Sequence, residues 1–262
     1  MKTVLALALV AAAPLAGAAM AHAEEISEAK ARKIGRDYGN CVVGERSGIA
    51  RHYVLNDVRD GEAVRWKKGV IVPFCLSINS PMPAVQATFP ADHYRYVLAQ
   101  ALFSRDLAKL PVPTLTDVAP LSHRPMPEPL DPAKLPADVK KAEEAKMSLA
   151  NKSVAFLADM LGECSVRRDP AGARALLVAP IGSSEEDEAF RAFAPAMSHC
   201  IPTGKQVRLN RTVTKGSIAV NYYRLSAAAG LLPANLMPKA GEEPELRADL
   251  PIIQDTQNGA AK

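Results

Sequence analysis

The apolar positions of this chain recur mostly at helical spacing. In 92–103, DHYRYVLAQALF, the residues Tyr94, Val97, Leu98, Ala101 and Leu102 fall at i, i+3, i+4, i+7 and i+8. That is the stripe of an amphipathic helix, with no strand alternation. Residues 212–225 keep Ile218, Tyr222 and Leu225 on one face. Ser183 followed by Glu186 opens SSEEDEAFRAFAPAM with a capping-box pattern, its acids placed where the helix dipole favours negative charge. Pro170 behind Asp169 opens DPAGARALLV as a first-turn proline. The stretch VKKAEEAKMSLANKSVAFLADMLGEC is polar first and apolar later, so its C-terminal part is expected to pack. The best strand candidate, GVIVPF at 69–74, is interrupted by Pro73. The pattern predicts an all-α protein.

Two segments break the periodicity. Residues 111–136 hold eight of the 21 prolines, a density that suits neither a helix interior nor a central strand and predicts an extended, semi-rigid linker. The segment 233–262, with Pro233, Pro238, Pro244 and Pro251 among polar residues, predicts a poorly ordered tail.

On either side of the linker the sequence matches itself. Gly39, Cys41, Val43, Ala50 and Arg51 align with Gly162, Cys164, Val166, Ala173 and Arg174 at an offset of 123. Cys75 aligns with Cys200 at 125, and Phe89, Leu98, Ala99 and Phe103 align with Leu209, Ile218, Ala219 and Tyr223 at 120. Three blocks in one order read as an internal duplication. Residues 24–110 and 137–232 are therefore expected to be tandem copies of a unit of about four helices, joined by 111–136.

The duplication also selects a cysteine pairing. Four cysteines allow three connectivities, and two like-folded copies require Cys41–Cys75 and Cys164–Cys200. Each bridge closes a loop of about 35 residues, contributing about 4 kcal/mol on the chain-entropy view. A zinc site needs closely spaced ligand pairs, and a redox pair is usually C-x-x-C; neither pattern occurs. Disulfides belong to an oxidising compartment, and the N-terminus agrees. Lys2, an apolar run from Val4 and the ending Ala21-His22-Ala23 describe a signal peptide over 1–23. No Cys follows the cleavage site to carry a lipid, and no other stretch is long and apolar enough to span a bilayer. The expected location is the periplasm or beyond.

Cleavage would remove one of 32 basic residues and none of 28 acids, leaving 31 against 28, a balance of +3. That is too near neutral to argue for nucleic acid. No zinc-protease, nucleophile-elbow, phosphate-loop or EF-hand pattern is present, so no catalytic, cofactor or metal residues are assigned. His52, His93, His123 and His199 each lack a counterpart in the other copy, and His123 lies in the proline linker. Arg51 and Arg174 are shared; they read as twin anion ligands or as structural arginines pairing with a carboxylate or carbonyl. No acid occurs from Ala189 to Gly241, a stretch that carries Arg191, Lys205, Arg208, Arg211, Lys215, Arg224 and Lys239. This reads either as a basic surface docking an anionic envelope polymer, lipid headgroup or acidic protein, or as a face balanced in space by the acids of 185–188. The spot Arg65-Trp66-Lys67-Lys68 is a smaller basic candidate holding the one Trp.

The repeated arrangement G-[NE]-C-x-V, then A-R, then C-[LI], with a helix ending ALFSR or NYYRL, resembles a group of exported helical cysteine-pair proteins of Gram-negative bacteria. The resemblance implies an envelope location and no established activity. Copy one departs from it, with ERSG in place of the RDPAG turn and an inserted NSPMP. The expected function is a non-catalytic binding or adaptor module working through the groove between copies or the stretch 189–241. The alternative is a hydrolase with a site near His199.

Overall fold

The computed structural model describes residues 27–56, 71–72, 74–75, 91–204 and 207–237. The signal peptide expected over 1–23, the Arg65–Lys68 spot and the part of the expected tail beyond Met237 lie outside these residues. Among the described residues there are six α-helices and no strand: α1 (Glu28–Leu55), α2 (Ala91–Leu102), α3 (Val139–Arg168), α4 (Pro170–Val178), α5 (Ser184–His199) and α6 (Arg211–Ala228). The protein is all-α, as its periodicity predicts. Part of the strand candidate falls within the described residues, where Phe74 and Cys75 form a helical turn.

The helices begin where short polar side chains can accept the orphan backbone donors of a first turn. Ser27, Asp138, Asp169, Ser183 and Asn210 accept from the N–H groups of Lys30, Lys141, Gly172, Glu186 and Val213, each cap contributing about 1 kcal/mol. Pro170 occupies the first turn of α4 as predicted. The capping box of α5 is only half formed: the Glu186 carboxylate accepts from Gly182 N–H at 2.9 Å instead of from its own cap.

Helices α2 and α6 lie at the centre, packed on each other, with α1 against α2 and α3 against α6. Glycine sets each crossing. A Cβ on Gly39 would sit 2.8 Å from Val97 O, and one on Gly162 would sit 2.9 Å from Ser217 O, so in both pairs backbone meets backbone. Between α2 and α6 the fit is large against small, since a Cβ on Gly216 would meet Tyr96 Cβ at 2.3 Å. Further along this interface Phe103 and Tyr222 meet edge to face at 5.2 Å. The sequence pattern assigns α6 one apolar face; in fact every residue from Val213 to Ala227 is buried. The α2, α3 and α1 packing on it leaves no side for solvent, and most of its polar side chains find internal partners, while Ser226 Oγ is buried without a hydrogen bond among the described residues.

Both disulfides pair as the spacing argument requires. Cys41–Cys75 has a Cα–Cα distance of 5.6 Å and Cys164–Cys200 one of 5.9 Å. The chain also breaks at matching numbers: Arg46 (φ −139°, ψ 46°) interrupts α1, and Asp169 (φ −141°, ψ 77°), 123 residues later, separates α3 from α4. The second half holds four helices, α3 to α6. The first half holds α1 and α2, with most of 57–90 outside the described residues.

The glycine crossings yield a first prediction. Gly162→Ala should lower unfolding free energy by about 1–3 kcal/mol through overpacking. Gly44→Ala on the same type of helix, where a Cβ meets nothing within 4 Å, should be neutral or raise it by about 0.5–1 kcal/mol. Urea titrations of the two variants check both signs.

Candidate functional site

The first part of the proline-rich segment, as far as His123, is fastened down to the helices. Prolines supply no N–H, so neighbouring carbonyls have few backbone donors to meet, and arginines from the helices take that place. Arg167 of α3 donates to Leu115 O, Val118 O and Ala119 O at 3.0, 2.6 and 2.7 Å. Arg174 of α4 donates to Ala108 O and Arg224 of α6 to Ser122 O, both at 2.6 Å. Leu115 is buried beneath.

A side-chain latch completes this strap. Glu163 accepts from Leu121 N–H at 3.0 Å and from Arg167 Nε at 2.7 Å, and it contacts His123 Nε2. Burial raises the Glu163 pKa, but these donors outweigh it and hold the carboxyl below the usual carboxylate range. An ionised carboxylate only accepts, so His123 Nε2 carries the proton and donates it. His123 Nδ1 is buried without a hydrogen-bond partner among the described residues.

Between strap and helix lies a cleft of about 780 Å³, walled by His123, Arg124 and Glu128 from the strap and by Lys152, Phe156 and Asp159 from α3. Both signs of charge and one aromatic face thus line a single concave surface. Asp159 also pairs with Arg95 of α2 at 3.6 Å, which ties the cleft wall to the protein centre.

The basic stretch does not form one free surface. Lys215 is only 2% exposed and donates to Glu186 and Ala179 O, each at 2.8 Å. Arg224 is buried and holds the strap. Neither presents a charge to a partner, and this corrects their place among the docking residues. Arg211 pairs with Asp187 and lies over the Phe190 ring at 5.2 Å, while Arg191 donates to Asp187 O at 3.2 Å. Arg208 is exposed, and Lys205 lies outside the described residues. The acids at 186 and 187 therefore meet Lys215 and Arg211 in space.

Glu186 is the centre of that balance. Its fully buried carboxylate receives Arg32 of α1 at 2.5 and 3.0 Å, Lys215 of α6 and Gly182 N–H. Burial opposes the charge, yet these donors prevail and pull its pKa down to about 2. The shared arginines are structural. Arg51 grips Asp106 with two bonds of 3.0 Å, and Tyr223 donates to the same carboxylate at 2.6 Å.

His199 is exposed in the last turn of α5 and lines neither this cleft nor a smaller one of about 140 Å³ beside the second disulfide. His52 and His93 sit half-buried on α1 and α2. Among the described residues no three His, Cys, Asp or Glu side chains converge as metal ligands. No described helix is long and apolar enough to cross a membrane. Comparison with known proteins finds no matching family model, no matching curated protein and no matching solved structure.

Sequence reasoning misses the strap cleft because its parts are far apart along the chain. Glu163 and Arg167 are an i, i+4 pair on α3, and their targets, 40–52 residues upstream, share no local signal with them. The latch predicts that Arg167→Gln accelerates hydrogen exchange at Leu121 by about tenfold or more, with both disulfides and helical content retained. Glu186 predicts a pH dependence. Its folded pKa lies below the unfolded value of about 4.3, so its stabilisation is full above that value and drains away as pH falls toward 2. Denaturant midpoints measured stepwise between pH 5 and pH 2 check the decline.

Proposed function

We propose that this chain is an exported, non-catalytic binding or adaptor protein of the cell envelope, built from two fused copies of one disulfide-stapled helical unit. The observation that carries the binding assignment is the strap cleft. It is concave and large, its rim is fixed by arginine clamps and the His123–Glu163 latch, and its walls offer cations, carboxylates and an aromatic ring together. Such a mixture suits a ligand or partner segment carrying charge and apolar surface, and an anionic envelope polymer or acidic protein remains the class favoured for the exposed Arg191, Arg208 and Arg211. Two disulfides support an oxidising compartment.

Several paired features support the two-copy reading. Arg46 and Asp169 break their helices at one offset, and Gly39 and Gly162 make equivalent backbone crossings. Arg95 and Lys215, 120 apart, both donate to the carbonyl closing a preceding helix, Val54 O and Ala179 O. The central crossing brings Tyr96 to Gly216, again 120 apart. The resemblance to exported cysteine-pair helical proteins agrees with this reading.

The hydrolase alternative draws no support from the exposed His199. The cleft's own imidazole, His123, spends one nitrogen on Glu163 and has the other closed off from solvent, which suits a latch better than a base.

Capture from envelope extract tests the binding function. Wild-type protein should retain a partner at low ionic strength and release it in high salt, and Ser148→Trp, which fills the cleft, should retain at least tenfold less. Equal capture by both proteins would overturn the assignment.

A further inference from the structure

A second cavity lies between α3, the end of α5 and the start of α6, with a volume of about 140 Å³. Leu161, Met197 and Ile218 give it apolar walls. Three hydroxyls also reach it, but each is spent on backbone: Ser165 donates to Leu161 O at 2.6 Å, Thr214 to Asn210 O at 2.9 Å and Ser217 to Thr214 O at 3.0 Å. The site therefore offers water few free donors. Its rim is formed by half-exposed Ile201, Val207 and Leu209, so it opens to solvent.

The first half of the chain displays what fits such a space. At the duplication offsets, Leu161 corresponds to Tyr38, Ser165 to Val42, Thr214 to Tyr94, Ser217 to Val97 and Met197 to Val72. There the space is full. Tyr38 and Tyr94 are both buried, with ring centroids 5.9 Å apart and hydroxyls 3.1 Å apart, and Val72 N–H donates to the Tyr38 hydroxyl at 3.4 Å. Tyr94 and Val72, which meet the Tyr38 side chain in the first half, thus correspond to Thr214 and Met197, which line the cavity in the second. Leucine and threonine replace two phenol rings, and among the described residues nothing else in the second half fills the space they leave. An apolar cavity of about 150 Å³ is known to accept a benzene ring, and this one has nearly that volume.

Resting on the two-copy reading, we propose that the cavity is a binding site for a free, uncharged aromatic molecule of phenol size. The ring occupies the place that the Tyr38 side chain takes in the first half. Its hydroxyl donates to a lone pair of Ser165, Thr214 or Ser217, since each of these hydroxyl oxygens can still accept after donating to backbone.

The test is a titration of the full chain, both disulfides formed, with p-cresol, followed by amide and methyl NMR. A ligand of this size predicts saturation with a Kd of about 0.1–1 mM and cross-relaxation from the ring protons to the Leu161 and Ile218 methyls. Leu161→Tyr rebuilds the first-half arrangement; it should weaken p-cresol binding more than tenfold and hold or raise the melting temperature. Absence of saturation to about 10 mM, or saturation without contacts to those methyls, overturns the proposal. The melting temperature separates the two ideas: a stabilised Leu161→Tyr alongside a wild type that ignores p-cresol removes the ligand and leaves the duplication. Loss of stability in Leu161→Tyr, with p-cresol still contacting both methyls in the wild type, keeps the ligand and removes the duplication.

Discussion

A helix buried on every side imposes the strongest demand on this molecule. From Val213 to Ala227, α6 has no solvent face, and it nevertheless carries Thr214, Lys215, Ser217, Asn221, Tyr223 and Arg224. Leaving such groups unpaired would cost several kcal/mol in total; Thr214 and Ser217 donate to carbonyls at the start of α6 itself, and the other four need partners brought to the helix. Lys215 draws in Glu186 and the end of α4, Asn221 reaches Asp159 O on α3, Tyr223 reaches Asp106 beyond α2, and Arg224 reaches the strap. The polar bonds of one central helix thus specify where most of the other elements lie.

That demand also explains which parts were legible in the sequence. Helix type and the cysteine pairing could be read because both depend on short-range spacing or on a covalent rule: Pro170 behind Asp169 starts a helix whatever surrounds it, and Cys75 has one partner compatible with two like copies. Lys215 and Arg224 misled because charge in a sequence reads as surface. Of the two readings of the acid-free run after 188, the face balanced by the acids of 185–188 fits Lys215 and Arg211, since Glu186 and Asp187 sit one helix earlier and fold back onto them. His199, near which the hydrolase alternative places a site, is exposed at a helix end, whereas His123, in the expected linker, is held by Glu163.

The strap shows how a proline-rich connection becomes one wall of a cleft. Carbonyls unable to find backbone donors are natural targets for guanidinium groups, whose several N–H bonds point in fixed directions. Arg167 alone serves three of them and also grips Glu163. The cleft wall is consequently set by α3, a long rigid helix. Loops carry recognition well when a scaffold positions them, and here the scaffold acts directly on the loop backbone.

The interlocking of α2 with α6 bears on how the chain is made. Tyr96 needs the gap at Gly216, Arg95 needs Asp159, and Asp106 needs Tyr223, a partner 117 residues further on. During synthesis the leading half emerges with these groups unmatched, and Tyr96 and Phe103 lack Gly216 and Tyr222 until the trailing half arrives. Long-range closure of this kind slows folding. The Cys41–Cys75 bridge, which lies wholly within the leading half, can close first and hold α1 in place during the wait. Its two cysteines need no residue of the trailing half, so the constraint it places on α1 is local to the part of the chain made first.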